Sequence, residues 1–118
     1  MTWMIRIWGV VREAASRWFG LRLRTYRVEG DILPAHIRPN QLIHLVDDGE
    51  SWSAGFLCPC GCGDVLEVAL IKGARQRWSL SVDGKGRPTL YPSIWRTTGC
   101  RSHFWVRKGR IHWCGKAD

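Results

Sequence analysis

The sequence predicts a mainly β (α+β) fold: a small antiparallel β domain behind one N-terminal amphipathic helix, stabilised by zinc. Three observations lead to this prediction. Short alternating apolar segments follow one another from residue 25 onward, glycine-containing turns separate them, and three cysteines lie within five positions. The 118 residues suit a single core. We therefore expect the helix within residues 1–24 and a zinc-binding β domain, which also carries the candidate catalytic residues, over residues 25–118.

The first element is the helix. Between residues 3 and 20, apolar residues recur at helical spacing, and Gly20 is a suitable stop. The apolar residues are Met4, Trp8, Val11, Ala15 and Trp18. The helix either packs on its own domain, which is the simpler interpretation, or presents a face to a partner. Arg6, Arg12 and Glu13 interrupt the apolar residues, so we expect neither a transmembrane segment nor a signal peptide. A cytoplasmic location with reduced thiols follows as an expectation.

The β segments are recognised by alternation and by the turns between them. Strands are expected at 41–47, 51–58, 64–71, 77–83 and 89–95, a connector at 30–40, and a hairpin at 102–114 that turns at Lys108-Gly109. Pro92 interrupts its segment, which indicates an edge strand or a bulge. Five tryptophans fall in or beside these segments and are expected in the core: Trp52, Trp78, Trp95, Trp105 and Trp113.

The chain carries a formal net charge of +8, which favours anionic partners of any kind. The arginines are concentrated near the two ends of the sequence, but no run of adjacent basic residues resembles a nucleic-acid-binding arm. No DNA- or RNA-binding motif is legible either. The composition therefore argues against nucleic acid as the partner, and an acidic protein surface suits the charge better.

Cys58, Cys60 and Cys62 form the motif CPCGC, which fits a metal site, a disulfide or a redox thiol. Reduced thiols in the cytoplasm favour the metal, and four thiolates bind Zn²⁺ tetrahedrally. Candidates for a fourth ligand are Cys100, His103, His112 and Cys114, and Cys100 is preferred because it lies in a turn-like stretch before a strand. A zinc site closed by four sulfurs is structural, whereas a site in which His103 replaces Cys58 or Cys62 as a ligand would make the same metal a candidate for catalysis.

The segment YPSIWRTTGCRSHFW concentrates the hydroxyl and imidazole groups. Ser102 and His103 are neighbours, and neighbours on a strand point to opposite faces. Ser93 reaches His103 more easily across two antiparallel segments, although Ser102 remains a candidate nucleophile if CRSHF is a turn. The carboxylates that could orient the imidazole are Asp47, Asp48, Glu67 and Asp83. On the residues alone, a structural serine beside a core histidine is the simpler interpretation.

The ordered motifs CPCGCG, RWSLSVD, TLYPSIW, CRSHFW and GRIHW resemble the DUF6527 family over residues 26–114. This resemblance implies a bacterial operon with ubiquitin-like, E1-like and E2-like proteins, linked to antiviral defence. It implies a deubiquitinase-like peptidase with a serine nucleophile. Carried onto this chain, it assigns Cys58, Cys60, Cys62 and Cys100 to zinc. It assigns catalysis to Ser93, Ser102 and His103.

The expected function is therefore a zinc-stabilised serine peptidase that removes or processes a bacterial ubiquitin-like protein, with His103 as general base. One alternative is a metallopeptidase in which His103 and two cysteines bind zinc and Glu67 is the base. The other alternative is a non-enzymatic zinc module that binds a modifier or nucleic acid through its arginines.

Overall fold

Alternating apolar residues and glycine turns fold the chain into two β-sheets. The computed structural model describes residues 21–114. The strands are β1 (Arg24–Glu29), β2 (Gln41–Asp47), β3 (Glu50–Leu57), β4 (Val65–Ala69), β5 (Ser79–Val82), β6 (Pro88–Trp95), β7 (His103–Arg107) and β8 (Arg110–Trp113). The mainly β class is confirmed, and the described residues contain no helix. The helix expected at residues 3–20 lies outside them.

Each half of the described chain builds one sheet. The first sheet has the order β1-β2-β3-β4 and the second the order β5-β6-β7-β8. All pairings are antiparallel except that of β1 with β2, which is parallel because the connector at residues 30–40 carries the chain back to its starting end. Residues 21–23 already belong to this β structure: Leu23 is buried, and its N–H donates to the carbonyl of Gly109.

The predicted turns are present. Asp48 and Gly49 have φ of 52° and 78°, and Lys108 and Gly109 have φ of 48° and 75°. Two successive positive φ angles are the signature of the turn that suits a two-residue hairpin. The hairpins β2–β3 and β7–β8 therefore form where the sequence indicated.

The core lies between the two sheets and consists mainly of aliphatic residues with two phenylalanines. Its buried members are Leu23, Leu42, Ala54, Phe56, Val68, Leu70, Leu90, Ile94, Phe104 and Val106. Phe56 of the first sheet meets Phe104 of the second edge to face, with ring centroids 6.2 Å apart. This contact joins the sheets next to the loops that carry the cysteines.

Of the five tryptophans predicted for the core, Trp78 packs against the buried cluster, but none of the five is fully buried. Trp95 is 68% exposed and Trp113 36%, and the other three are only half-buried. The physical reason is alternation: Ile94 and Phe104 point into the core, so Trp95 and Trp105 project from the opposite face.

Within residues 21–114 there is no helix long and apolar enough to cross a membrane.

Candidate active site and metal centre

The loop between β3 and β4 brings three cysteines together. Gly61 and Gly63 have φ of 90° and 86°, which only glycine adopts without strain, and they let the loop turn sharply. The N–H of Cys58 donates to the carbonyl of Asp64 at 2.8 Å and closes the loop at its base. Cys100 arrives from the second sheet, on the loop between β6 and β7.

Cys58, Cys60, Cys62 and Cys100, hereafter the cysteine cluster, place their four sulfur atoms within 4.8 Å of one another. The Sγ of Cys58 lies 3.4 Å from that of Cys60 and 3.5 Å from that of Cys100. A zinc ion bound by four thiolates at about 2.3 Å places sulfurs about 3.8 Å apart, so these spacings fit tetrahedral zinc. The four side chains are all free thiols rather than disulfides.

The sulfurs are also surrounded by hydrogen-bond donors. Cys62 donates its backbone N–H to the Sγ of Cys60 at 3.3 Å. The guanidinium of Arg96 donates to the Sγ of Cys100 at 3.0 Å and to that of Cys62 at 3.5 Å, while it forms an ion pair with Asp64 at 2.9 Å. Such donors stabilise thiolates, which are the form that binds zinc.

The thiols differ in acidity. Burial, reinforced by the hydrogen bonds with Cys58 and Cys62, raises the pKa of Cys60 to about 12. Burial also opposes ionisation of Cys100, but hydrogen bonds from the side chain and backbone of Ser102 outweigh it and lower the pKa of Cys100 to about 6. Burial raises the pKa of Cys58. A bound zinc ion would replace the thiol protons and stabilise the thiolates, including those of the cysteines whose pKa is raised.

The structure separates the two candidate serines. The Oγ of Ser93 and the Nε2 of His103 lie 3.1 Å apart, within hydrogen-bond distance. Ser102 is buried and points the other way, with its Oγ 3.0 Å from the Sγ of Cys100 and 3.7 Å from that of Cys58. The two serines thus occupy different places: Ser93 faces the imidazole, and Ser102 faces the cysteine cluster.

Ser93 approaches His103 because β6 bulges. The pairing between β6 and β7 is interrupted between Leu90 and Ile94, so Tyr91 to Ser93 are not paired with β7. Bulges of this kind re-aim side chains beside active sites. The interruption at Pro92 is therefore a bulge in a central strand, which was one of the two predicted outcomes, and not an edge strand.

An aromatic ring, rather than a carboxylate, contacts the imidazole. Trp95 stacks on His103 with centroids 5.2 Å apart and ring planes 17° apart. Among the described residues no carboxylate hydrogen-bonds to His103. Of the four predicted candidates, Glu67 accepts a hydrogen bond from Ser53 and Asp83 pairs with Arg87. Asp47 ends β2 in the other sheet, and Asp48 lies in the turn that follows it.

The remaining candidate ligands lie outside the cysteine cluster. His103, His112 and Cys114 do not belong to the group of four. Cys114 instead donates its backbone N–H to the carbonyl of His103. The sequence pattern predicted Trp95 for the core rather than for the site, and it indicated no role for Arg96 or Asp64. Asp64 lies next to the cysteine motif in the sequence, and Trp95 and Arg96 lie close to Ser93. The contacts of Arg96 with Asp64 and the cysteines form only because the β3–β4 loop meets the β6–β7 loop in space.

The sequence matches the family model described as bacterial ubiquitination-like system serine protease (BubE) over residues 29–114. The match covers well over half of the chain, so the chain belongs to this family. No curated protein and no solved structure matches it.

Proposed function

We propose that the protein is a serine peptidase of a bacterial ubiquitination-like system, with Ser93 as nucleophile and His103 as general base. The observation that carries the assignment is the 3.1 Å separation between the Oγ of Ser93 and the Nε2 of His103. A serine hydroxyl is activated when an imidazole within about 2.6–3.2 Å can take its proton. The family description supports the reaction class.

The steps follow from this geometry. With its own proton on Nδ1, the neutral imidazole accepts the Ser93 proton at Nε2 while Oγ attacks the substrate carbonyl. His103 then gives that proton to the leaving amine, and the C–N bond breaks to leave an acyl group on Ser93. A water molecule, deprotonated in turn by His103, releases the carboxylate and restores the serine.

The cysteine cluster would hold a zinc ion whose role is to fix the loops, because four thiolates leave no position for a reacting water. Cys100 and His103 are three residues apart, and Ser102, which lies between them in the sequence, has its Oγ 3.0 Å from the Sγ of Cys100. The N–H of Arg96 donates to the carbonyl of Ser102 at 2.8 Å and closes the loop that contains Cys100. Ser102 is accordingly assigned to the support of the metal centre, not to the attack.

The metallopeptidase alternative receives less support from the geometry. It requires His103 to bind the metal and Glu67 to act as base. His103 instead contacts Ser93, and Glu67 accepts a hydrogen bond from Ser53 of the first sheet. The module without enzymatic activity receives less support because the family description names a protease.

The proposed substrate is a ubiquitin-like protein joined through its C-terminal carbonyl to another group, and its conjugates. E1-like and E2-like proteins of the same system would make the bonds that this enzyme removes. The net charge of +8 suits an acidic partner.

The test measures cleavage of a ubiquitin-like protein of such a system, fused at its C-terminus to a reporter, together with the zinc content of each variant. We expect Ser93→Ala and His103→Ala to lose at least about a thousandfold in kcat while they retain zinc. Ser102→Ala, the matched serine control, is expected to keep cleaving but to bind zinc less tightly. Full activity in Ser93→Ala would overturn the assignment, and loss of zinc in His103→Ala would favour the metallopeptidase.

A further inference from the structure

The outer face of the second sheet carries a row of aromatic rings, two exposed and one half-buried, around Ser93 and His103. This aromatic face consists of Tyr91, Trp95, Trp105 and Arg107. The Tyr91 and Trp105 rings are 5.9 Å apart, and the guanidinium of Arg107 lies over the Trp105 ring at 4.5 Å. Tyr91 is 66% exposed. Large exposed rings packed against one another on a sheet face are typical of an interaction surface rather than of a solvated one.

The second sheet is also strongly positive. Between Ser79 and Trp113 the sequence contains the basic residues Lys85, Arg87, Arg96, Arg101, Arg107, Lys108 and Arg110. The one carboxylate in this range, Asp83, pairs with Arg87 at 2.6 Å. Arg107 and Arg110 face each other across the end of the β7–β8 hairpin without a carboxylate partner among the described residues. The hairpin end beside the aromatic face therefore presents uncompensated positive charge.

We propose that the aromatic face is the docking surface for the folded part of the substrate protein, and that it takes an apolar patch bordered by acidic side chains. Two observations select this occupant. The face is continuous with Ser93 and His103, because Trp95 stacks on the imidazole and Trp105 follows His103 on the same side of β7. Its charge requires a negative complement, so a second copy of this positive surface would be repelled.

The proposal rests on the proposed function for the identity of the substrate protein and therefore for the choice of probe. Binding is measured with the Ser93→Ala chain, which keeps a substrate intact, and the probe is the ubiquitin-like protein of such a system used above. Arg107→Glu in that chain is expected to raise Kd at least about tenfold, because a charge reversal at an interface replaces attraction by repulsion. Tyr91→Ala is expected to raise it by a similar factor, since exposed tyrosines are frequent binding hot spots.

Two variants serve as matched controls. Arg75→Glu makes the same charge change on the loop between the two sheets, and Tyr26→Ala removes an exposed tyrosine from the first sheet. Both are expected to leave Kd within about twofold of the parent value. Zinc content and thermal unfolding are recorded for every variant, so that a variant that fails to fold is recognised and the other carries the test. In the wild-type background, Arg107→Glu should raise KM and leave kcat nearly unchanged.

Unchanged binding in folded Arg107→Glu would overturn the proposal, and so would an equal loss in Arg75→Glu. A dimer that forms with rising concentration and is abolished by Arg107→Glu would assign the face to a second copy instead, and would equally overturn it. If the wild type fails to cleave but the Ser93→Ala chain binds with the predicted pattern, the docking surface stands and the proposed chemistry fails.

Discussion

Within residues 21–114, His103 is contacted by a stacked indole and by no hydrogen-bonded carboxylate. The Trp95 ring lies 17° from the plane of the imidazole, so it restricts ring rotation without adding negative charge. Aromatic stacking of this kind contributes about 0.5–1.5 kcal/mol. The proposed dyad would depend on Trp95 for the position of its imidazole, whereas a triad depends on an acidic group.

Trp95→Ala should therefore lower kcat about tenfold, because a misplaced base takes the Ser93 proton less effectively. Trp95→Phe keeps a flat ring and should restore most of the loss. The measurement is cleavage of the reporter fusion, with zinc content as the check on folding. An equal loss of kcat in Trp95→Ala and Trp95→Phe would contradict the idea that a stacked ring at this position orients the imidazole.

Arg96 links the cysteine cluster to the segment that carries His103. It donates to two sulfurs of the cysteine cluster and pairs with Asp64, which raises the pKa of the guanidinium. Arg96→Gln should weaken zinc binding about 10–100-fold, as loss of hydrogen bonds to metal ligands does elsewhere. Arg101→Gln, an exposed charge in the same loop, should change it little. Competition with a chromogenic chelator measures both, and equal affinities in the two variants would contradict the assignment.

At the residue scale the sequence indicated the four cysteines and the pairing of Ser93 with His103, because strand alternation and turn chemistry constrain both. The choice between Ser93 and Ser102 was left open. It depends on whether residues 100–103 form a turn around the cysteines, and on the bulge in β6. The sequence pattern marks the bulge only by Pro92.

At the scale of elements, the β7–β8 hairpin anchors the start of the described chain. The carbonyl of Gly109 accepts from the N–H of Leu23 at 2.7 Å, and a Cβ on Gly109 would lie 2.5 Å from the carbonyl oxygen of Leu23. Leu23 is buried in the core between the sheets. The glycine is therefore required both for its positive φ and for this close approach.

Gly109→Ala should lower the free energy of unfolding by at least about 2–3 kcal/mol, since it combines a strained φ with a backbone clash. Gly73→Ala is the matched control: its φ is 91°, but a Cβ there meets nothing within 4 Å. It should cost only about 1 kcal/mol. Urea unfolding compares the two, and an equal loss in both would show that the contact with Leu23 contributes nothing.

Elements that form through local turns were predictable, and those that depend on distant pairing were not. The hairpins at Asp48-Gly49 and Lys108-Gly109 carry their turn residues in the sequence. The parallel pairing of β1 with β2 has no such signal, because the connector at residues 30–40 has to cross the sheet before the strands meet. Residues 21–23 likewise take part in the β structure through contacts with a hairpin far away in the sequence.

At the scale of the whole molecule, the cysteine cluster connects the two sheets. Three of its cysteines lie on a loop of the first sheet and Cys100 lies on a loop of the second. A metal bound there would close a loop of 42 residues between Cys58 and Cys100. By analogy with a disulfide, such a cross-link contributes on the order of 4 kcal/mol through loss of entropy in the unfolded chain. The metal would thus stabilise the approach of the sheets that also brings His103 into place.

Removal of zinc with a chelator should therefore lower the melting temperature substantially, and activity should fall in parallel with the loss of structure. Readdition of zinc should restore both. Thermal unfolding and cleavage are followed on the same samples. Complete and immediate loss of activity with an unchanged melting temperature would contradict a structural role and indicate a reacting metal.

The division into two sheets was not predictable from the sequence. The strands from β2 to β8 were visible by their alternation, whereas β1 was not predicted. The break between β4 and β5 depends on packing across the core. The exposed tryptophans show the same limit: hydrophobicity placed them in the core, whereas strand register places Trp95 and Trp105 on the outer face. Composition does not distinguish a buried ring from one that lies beside an active site.

The central claim is that Ser93 is the nucleophile beside a structural metal centre, and covalent labelling tests it most directly. The zinc-loaded protein is treated with a fluorophosphonate probe, and the modified residue is identified by peptide mapping. We predict a single adduct on Ser93 that requires His103 and is unaffected by Ser102→Ala. An adduct on Ser102, or full cleavage activity after Ser93 has been labelled to completion, would contradict the account.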